Sequence, residues 1–254
     1  MRDFEVIISG PAETGKTYSC LHLVDALLWK YPGAQGVIAR KTYASLIGTA
    51  LRTYARILGP DTPVKPYGGE HPQWFDYPNH SRLWVAGLDK PGKALSSERD
   101  FIFVNQVEEL ALEDWETLTT RCTGRGAVMP YTRIFGDCNP DKPQHWICQR
   151  QSLRLLESRH QDNPTLYDDA GNITEQGRRT MAVLDALTGA RRARLRDGRW
   201  AQAEGMVYEG WDRAVHLMDR FPIPAAWRKF RFIDFGYTNP FSCLWAAMDG
   251  DSRL

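Results

Sequence analysis

The sequence predicts an α/β fold built on a mostly parallel, doubly wound sheet flanked by helices, and three observations predict it. A short β-branched run, Phe4 to Ile8 (FEVII), leads into a glycine loop and then into a helical pattern. Segments with strand and helix character then alternate as far as Gln151. An unbroken apolar run, Phe101 to Val104 (FIFV), has the composition of a strand buried on both faces.

The elements follow in order. From Lys16 to Lys30 the apolar residues Cys20, Leu21, Leu23, Val24, Leu27 and Leu28 recur at helical spacing. YPG (Tyr31 to Gly33) breaks the chain, and Gln35 to Ala39 makes a second strand ending at Arg40. Tyr43 to Leu58 reads as helix, Gly59 to Gly69 as loop, and Trp74 to Tyr77 with Arg82 to Ala86 as a hairpin around PNHS. A polar loop, Gly87 to Arg99, precedes FIFV. Glu113 to Cys122 reads as a helix with acidic residues near its start, Tyr131 to Phe135 as a strand, and the region from Pro143 to Gln151 as a helix after GDCNP (Gly136 to Pro140). Ligands on such sheets sit at the carboxyl ends of strands, where Gly10, Asn105 and Asn139 all fall.

The glycine loop GPAETGKT comprises Gly10, Pro11, Ala12, Glu13, Thr14, Gly15, Lys16 and Thr17, and it fits the phosphate-loop pattern G-x-x-x-x-G-K-[ST]. Its glycines let successive backbone N–H groups and the positive helix end face a polyphosphate, while Lys16 neutralises the terminal charges. Thr17 supplies a hydroxyl for Mg²⁺, and the implied ligand is ATP with Mg²⁺. A chance glycine turn before a helix, with a solvated Lys16, is the plain alternative.

Composition sets wider bounds. The 254 residues, 43% of them apolar and 25% charged, are enough for a large core and argue against long disorder. The formal charge of +1 excludes no partner, because a basic groove can sit on a neutral protein. Five cysteines, Cys20, Cys122, Cys138, Cys148 and Cys243, are scattered without a C-x-x-C pair and read as buried thiols in a reducing cytoplasm. The N-terminus enters a strand almost at once, which leaves no room for a signal peptide, and no apolar run approaches the roughly 20 residues of a membrane span.

The final third changes character. Ile173 to Leu187 reads as helix, and GARRARLRDGRW (Gly189 to Trp200) concentrates five arginines beside an aromatic. Such a cluster either binds nucleic-acid backbone or is a solvated helix face. Phe230 to Phe235 (FRFIDF) and Phe241 to Ala247 (FSCLWAA) read as two strands joined by GYTNP, a pair that is marginal without a sheet to join.

Taken together and in order, GPAETGKT, GVIARKTYASLIG, FIFVNQVEEL, TTRCTGRG, FGDCNPDKPQHW, QDNP, LTGARRARLRDGRW and FIDFGYTNPF resemble the large terminase subunits of tailed bacteriophages, over most of the chain. The resemblance implies a packaging ATPase domain of the ASCE P-loop class over residues 1–200, a linker over 201–228, and the first strands of an incomplete ribonuclease-H-like nuclease over 229–254. It implies a motor that pushes double-stranded DNA into a procapsid. Its partners would be a portal protein, a small terminase subunit and further copies in a ring, in the host cytoplasm and not in a membrane. Asp234 matches the first metal-binding acid of that nuclease. Alone it cannot hold the two metals cleavage needs, so no nuclease activity is expected.

The strand-end acids are where the chain departs from that pattern. An apolar strand is ordinarily followed by an acid for the Mg²⁺ shell and a glutamate that orients the attacking water. Here FIFV is followed by Asn105 and Gln106, neutral amides that take no proton. Glu108 and Glu109 come next and are assigned the Mg²⁺ and water role jointly, with Glu109 as an arginine-paired structural acid the competing reading. Asn139 matches a polar sensor of the γ-phosphate or of the water, or else starts an Asn-Pro turn. Arg40 contacts nucleotide, couples it to DNA, or forms a surface ion pair. Arg99, Arg121 and Arg125 are candidates for an arginine finger acting on a neighbouring subunit. Trp74, Trp84 and Trp115 read as packing residues rather than base-stacking platforms. A helicase-like or kinase P-loop enzyme, and a degenerate nucleotide-binding assembly module without turnover, are the other readings.

Overall fold

Apolar runs too short for helices form the strands here, and polar or glycine-rich stretches turn the chain between them. The computed structural model describes residues 4–89, 97–125, 127–202, 217–235 and 241–251. The chain divides into two compact units, Met1–Met206 and Val207–Leu254. In the first unit the strands are β1 (Glu5–Ser9), β2 (Gln35–Arg40), β3 (Lys65–Tyr67), β4 (Trp74–Asp76), β5 (Arg82–Gly87), β6 (Phe101–Val104), β7 (Arg133–Cys138) and β8 (Leu153–Glu157). They form one eight-stranded sheet in the order β3-β4-β5-β2-β6-β7-β1-β8. From β5 to β8 every neighbouring pair is parallel, and β3 and β4 add an antiparallel edge. All of β6 is buried, as its unbroken apolar run requires.

The helices are α1 (Lys16–Lys30), α2 (Tyr43–Leu46), α3 (Arg52–Leu58), α4 (Leu112–Thr119), α5 (Trp146–Gln149), α6 (Glu175–Asp185) and α7 (Gly189–Leu195). Thr42 caps α2 by accepting the Ser45 N–H, and a π-turn over Ile47–Leu51 joins α2 to α3. The stripe Cys20, Leu21, Val24, Leu27 and Leu28 of α1 packs with Leu46, Leu51 and Tyr54 against Ile38, Phe103 and Phe135. On a second cluster, Trp115 and Leu118 of α4 meet Ile7, Val37, Ile102 and Ile134. Alternate residues of one strand therefore serve two cores, which is what covering both faces of a sheet requires.

Several elements differ from the sequence reading. Lys65–Tyr67, expected as loop, is β3. The helix expected to reach Gln151 is a single turn ending at Gln149, because the Arg150 guanidinium leaves it to meet Glu5 at 2.7 Å and the chain returns as β8. The strand expected to end at Phe135 continues through Gly136, Asp137 and Cys138. Cys20, Cys122 and Cys138 are buried, but Cys148 and Cys243 are exposed, so the expectation of uniformly buried thiols fails for those two. Among the described residues no helix is long and apolar enough to cross a membrane.

The second unit contains β9 (Arg228–Asp234) and β10 (Ser242–Met248), paired antiparallel with Asp234 opposite Ser242. Arg231 lies over the Trp245 ring at 4.2 Å. The GYTNP turn lies outside the described residues, as does 203–216 of the expected linker.

Glu5 anchors the end of β1 away from the loop. Its buried carboxylate accepts hydrogen bonds from Trp115 Nε1 (2.6 Å), Arg150 Nε (2.7 Å) and Ser152 Oγ (2.9 Å). Burial alone would raise its pKa, but these donors, Arg150 first, outweigh burial and hold it below the ordinary 4.5. A depressed carboxyl contributes stability that is present above the unfolded-state value and lost as pH falls through the folded one. The urea midpoint of the wild type should therefore exceed that of Glu5→Gln near neutral pH, with the gap closing below pH 4.5. A gap that stays constant with pH would remove the ionic account.

Candidate functional site

The loop Gly10–Thr17 leaves the carboxyl end of β1 and enters α1, and its geometry explains its two glycines. A side chain at Gly10 would place Cβ 2.3 Å from the Ser158 carbonyl oxygen, and Gly15 caps α1 at φ 84°, in the left-handed region. Glu13 also has a positive φ, 62°, and its carbonyl accepts the Asn163 side-chain N–H at 2.8 Å, so the QDNP segment (Gln161–Pro164) clamps the loop. Gly198, from the arginine-rich segment, packs on Pro11, and the Ala12 N–H bonds the Leu195 carbonyl at 2.9 Å.

Lys16 is buried, with 7% of its surface exposed. Its Nζ donates to the Gly10 carbonyl (2.9 Å), the Pro11 carbonyl, Thr14 Oγ1 (3.2 Å) and Asn139 Oδ1 (3.3 Å). Burial lowers its pKa, and the charge of Asp137 opposes this. The loop cation and the strand-end amide thus face one groove of about 400 Å³, lined by Ala12, Gly15, Thr17, Gln106, Asp137 and Asn139 among others.

Asp137 is the residue that sequence reasoning missed. Thr17 Oγ1 donates to its Oδ2 at 2.7 Å, and Asn105 Nδ2 donates to Oδ1 and Oδ2 at 3.1 and 3.2 Å. Burial pushes its carboxyl above the ordinary aspartate range, while the Thr17 and Asn105 hydrogen bonds and the Lys16 charge pull it back. The only sequence signal for it was an acid one residue before the Cys-Asn-Pro turn.

The two glutamates separate. Glu108 Oε1 accepts the Asn139 N–H at 3.0 Å, and its Oε2 is buried without a partner among the described residues. Burial pushes its carboxyl up to about 7, with the Asn139 hydrogen bond opposing. Glu109 turns the other way and meets Arg40 through two bonds, Nη2 at 2.7 Å and Nε at 3.0 Å. Arg40, 7% exposed, also reaches Thr49 Oγ1 at 2.8 Å, the Ser45 carbonyl at 3.4 Å and Gln106 Oε1, so its guanidinium is shared among four partners. Gln106 itself has φ 53°, a left-handed conformation that turns the chain sharply after β6.

The remaining candidates are not brought to this groove. Arg99 precedes β6, is 4% exposed, and lies over the Trp84 ring at 5.1 Å. Its N–H bonds the Arg121 carbonyl at 2.7 Å, and Arg121 and Arg125 lie in the connection from α4 to β7. All three therefore lie toward the amino ends of β6 and β7, opposite the loop of their own chain. The arginine-rich segment is largely committed internally: Arg192 and Arg196 meet Asp185, Arg194 meets Asp141 at 2.6 Å, and Arg199 meets Asp197 at 3.3 Å. Asp234 is exposed in the second unit, and among the described residues no group of three or more His, Cys, Asp or Glu could hold a metal.

A single Mg²⁺ needs no such group, since it is ordinarily held by one or two side-chain oxygens plus phosphates. The residues present fit it: Thr17 and Asp137 offer hard oxygens 2.7 Å apart, and the buried Asn105 Oδ1 and Glu108 Oε2 lack partners among the described residues.

Fold and site together define a mixed α/β protein with a mostly parallel sheet and a glycine loop at the carboxyl end of β1. Solved structures that share this fold are large terminases. The large terminase of a thermophilic bacteriophage, solved in complex with ADP, matches with a TM-score of 0.64 at 18% identity, covering 98% of this chain and 61% of that one. The large terminase ATPase domain of Thermus phage P74-26 matches at 0.54 and 12% identity, covering 79% and 90%. The HK97 bacteriophage large terminase matches at 0.54 and 11% identity, covering 98% and 57%. The chain thus spans about three-fifths of the first and third of these proteins, and at these identities the likeness establishes the fold. No protein-family model matches the sequence, and no curated protein does.

Proposed function

We propose that this chain binds and hydrolyses ATP with Mg²⁺ and couples hydrolysis to movement of double-stranded DNA into a procapsid, as the motor part of a large terminase subunit. The observation that carries the reading is the convergence of Lys16, Thr17 and Asn139 on one groove at the carboxyl ends of β1 and β7. The shared fold with large terminases, one of them solved with ADP and with ATP-γ-S, supports it.

Gly10, Pro11, Ala12, Glu13, Thr14 and Gly15 cradle the phosphates, Lys16 neutralises them, and Thr17 offers its hydroxyl to the metal, which when bound spreads the charge that develops on the transferred phosphoryl group. Asn139 senses the γ-phosphate, and Glu108 is the carboxylate available to accept a proton from water near it. Arg40 holds Gln106 and Glu109 beside the groove. An arginine finger from Arg99, Arg121 or Arg125 acts only on a neighbouring subunit, because all three lie away from their own loop. Portal protein, small terminase subunit and a ring of copies are the proposed partners, in the host cytoplasm. Residues 1–200 form the ATPase domain, 201–228 the linker, and 229–254, with Asp234, strands of a ribonuclease-H-like nuclease.

ATP turnover at high protein concentration, with and without linear duplex DNA, tests the reading. Turnover should rise with DNA and fall as salt weakens a phosphate-directed grip. It should also fall as pH drops through about 7, when Glu108 takes up a proton, and Glu108→Gln, whose amide accepts none, should lose turnover at every pH. ATP binding without turnover under every condition would leave a nucleotide-holding module instead.

A further inference from the structure

We infer that Asp137, on the strand next to β6, takes the metal-shell role left vacant by the neutral Asn105, which becomes its positioning residue. The inference rests on reading the loop as a Mg²⁺-nucleotide site. Its grounds are topological first. In the sheet β7 lies between β6 and β1, and Asp137 is in register with Ile8, two residues before the loop begins. An acid here therefore stands nearer the loop than one at the end of β6 would.

The hydrogen bonds give the second ground. Thr17, the loop hydroxyl, donates to Asp137 Oδ2 at 2.7 Å, the pairing expected between a loop threonine and the acid that shares its metal. Asn105 spends its amide on both oxygens of the same carboxylate, at 3.1 and 3.2 Å. An aspartate at 105 would set two buried carboxylates against each other, a contact that drives one of them to hold a proton. The amide at 105 is therefore the complement of the acid at 137, and the pair carries one negative charge, as an acid at the end of β6 would.

A third ground is cost. Asp137 is 3% exposed, and a buried carboxylate is retained only where charge or ligand compensates it. Lys16 and the hydrogen bonds from Thr17, Asn105 and the Gln106 backbone supply part of that compensation, and a divalent cation beside Thr17 would add to it. On this account Asn105 and Gln106 do not signal lost metal use.

The test compares the affinity of ATP-γ-S with Mg²⁺ and with EDTA, and the binding of Mn²⁺ to the nucleotide complex by electron paramagnetic resonance. Asp137→Asn, close to isosteric, should lose about 10- to 100-fold in metal affinity while still binding nucleotide through the loop. Asn105→Asp alone should also weaken the metal, and the exchange N105D/D137N should restore it. The exchange keeps the count of acids and amides, so it serves if Asp137→Asn proves unstable. Metal affinity unchanged in Asp137→Asn, or unrestored in a folded exchange variant, would overturn the inference, as would a wild type whose affinity gains nothing from Mg²⁺. Retained metal dependence without turnover would instead sink the motor reading and leave this assignment standing.

Discussion

Replacing Lys16 by Ala is expected to remove tight ATP binding and all measurable turnover, with a much smaller effect on folding. The ammonium is already set on the loop: it bonds the Gly10 and Pro11 carbonyls, Thr14 Oγ1 and Asn139 Oδ1, within one side chain's reach of the groove. A phosphate entering that groove would draw the ammonium from neutral acceptors to charged ones. Hydrogen bonds to charged groups are worth about 1.5–3 kcal/mol each, so losing two implies roughly 10²- to 10⁴-fold in affinity. Folding suffers less, because the freed acceptors line an open groove that water can enter. The larger risk is Asp137, which loses its nearest cation and is expected to take up a proton at higher pH. The measurement is ATP-γ-S affinity by calorimetry beside a thermal melt. A variant that binds as the wild type does would make the loop an ordinary glycine turn.

The loop was legible in the sequence because everything that defines it is local: two glycines, a lysine and a threonine at fixed spacing, between a strand and a helix. Asp137 was not, because nothing local makes Gly136, Asp137 and Cys138 a strand. They extend β7 because Ile7, Ile8 and Ser9 on one side, and Val104 opposite Gly136 on the other, complete their ladder. Tertiary pairing overrides weak propensity there. For Lys65–Tyr67 the same holds more strongly, since a proline at its centre is tolerated only at a sheet edge. β8 is also an edge strand, and LRLLE lacks the alternation that marks a half-buried one.

Glu108 and Glu109 show a different limit. They are adjacent and chemically equivalent on paper, and the sequence reading kept both. A tight 3₁₀ turn over Val107–Glu109 points one at the Asn139 backbone and the other at Arg40. The arginine-rich segment is similar: its charge was visible, but the acids that absorb it, Asp141 and Asp185, are distant or on another helix. Sequence shows how much charge a segment carries, and only the fold shows where it is spent.

The largest loss of stability is expected from Trp115→Ala. Trp115 is fully buried and is the principal side chain that α4 sends into the core on its face of the sheet. It packs against Trp146 with ring centroids 5.6 Å apart, and its Nε1 donates to Glu5 at 2.6 Å. Removing such a side chain costs about 3–5 kcal/mol, part of it from the cavity left behind. For a unit of this size that corresponds to a melting-temperature drop of roughly 6–20 °C. Trp115→Phe separates the two contributions: it keeps most of the volume and loses the donor to Glu5, so it should cost about 1–3 kcal/mol. Glu5→Gln and Trp115→Phe share one hydrogen bond, so their combined cost should fall short of the sum of the single costs. The consequence reaches the site, because this core supports β6 and β7, whose carboxyl ends carry Asn105 and Asp137. Trp115→Ala should therefore weaken ATP-γ-S binding even well below its melting temperature, whereas Trp115→Phe should leave it unchanged. Equal binding in both variants would mean that the strand ends hold their places without α4.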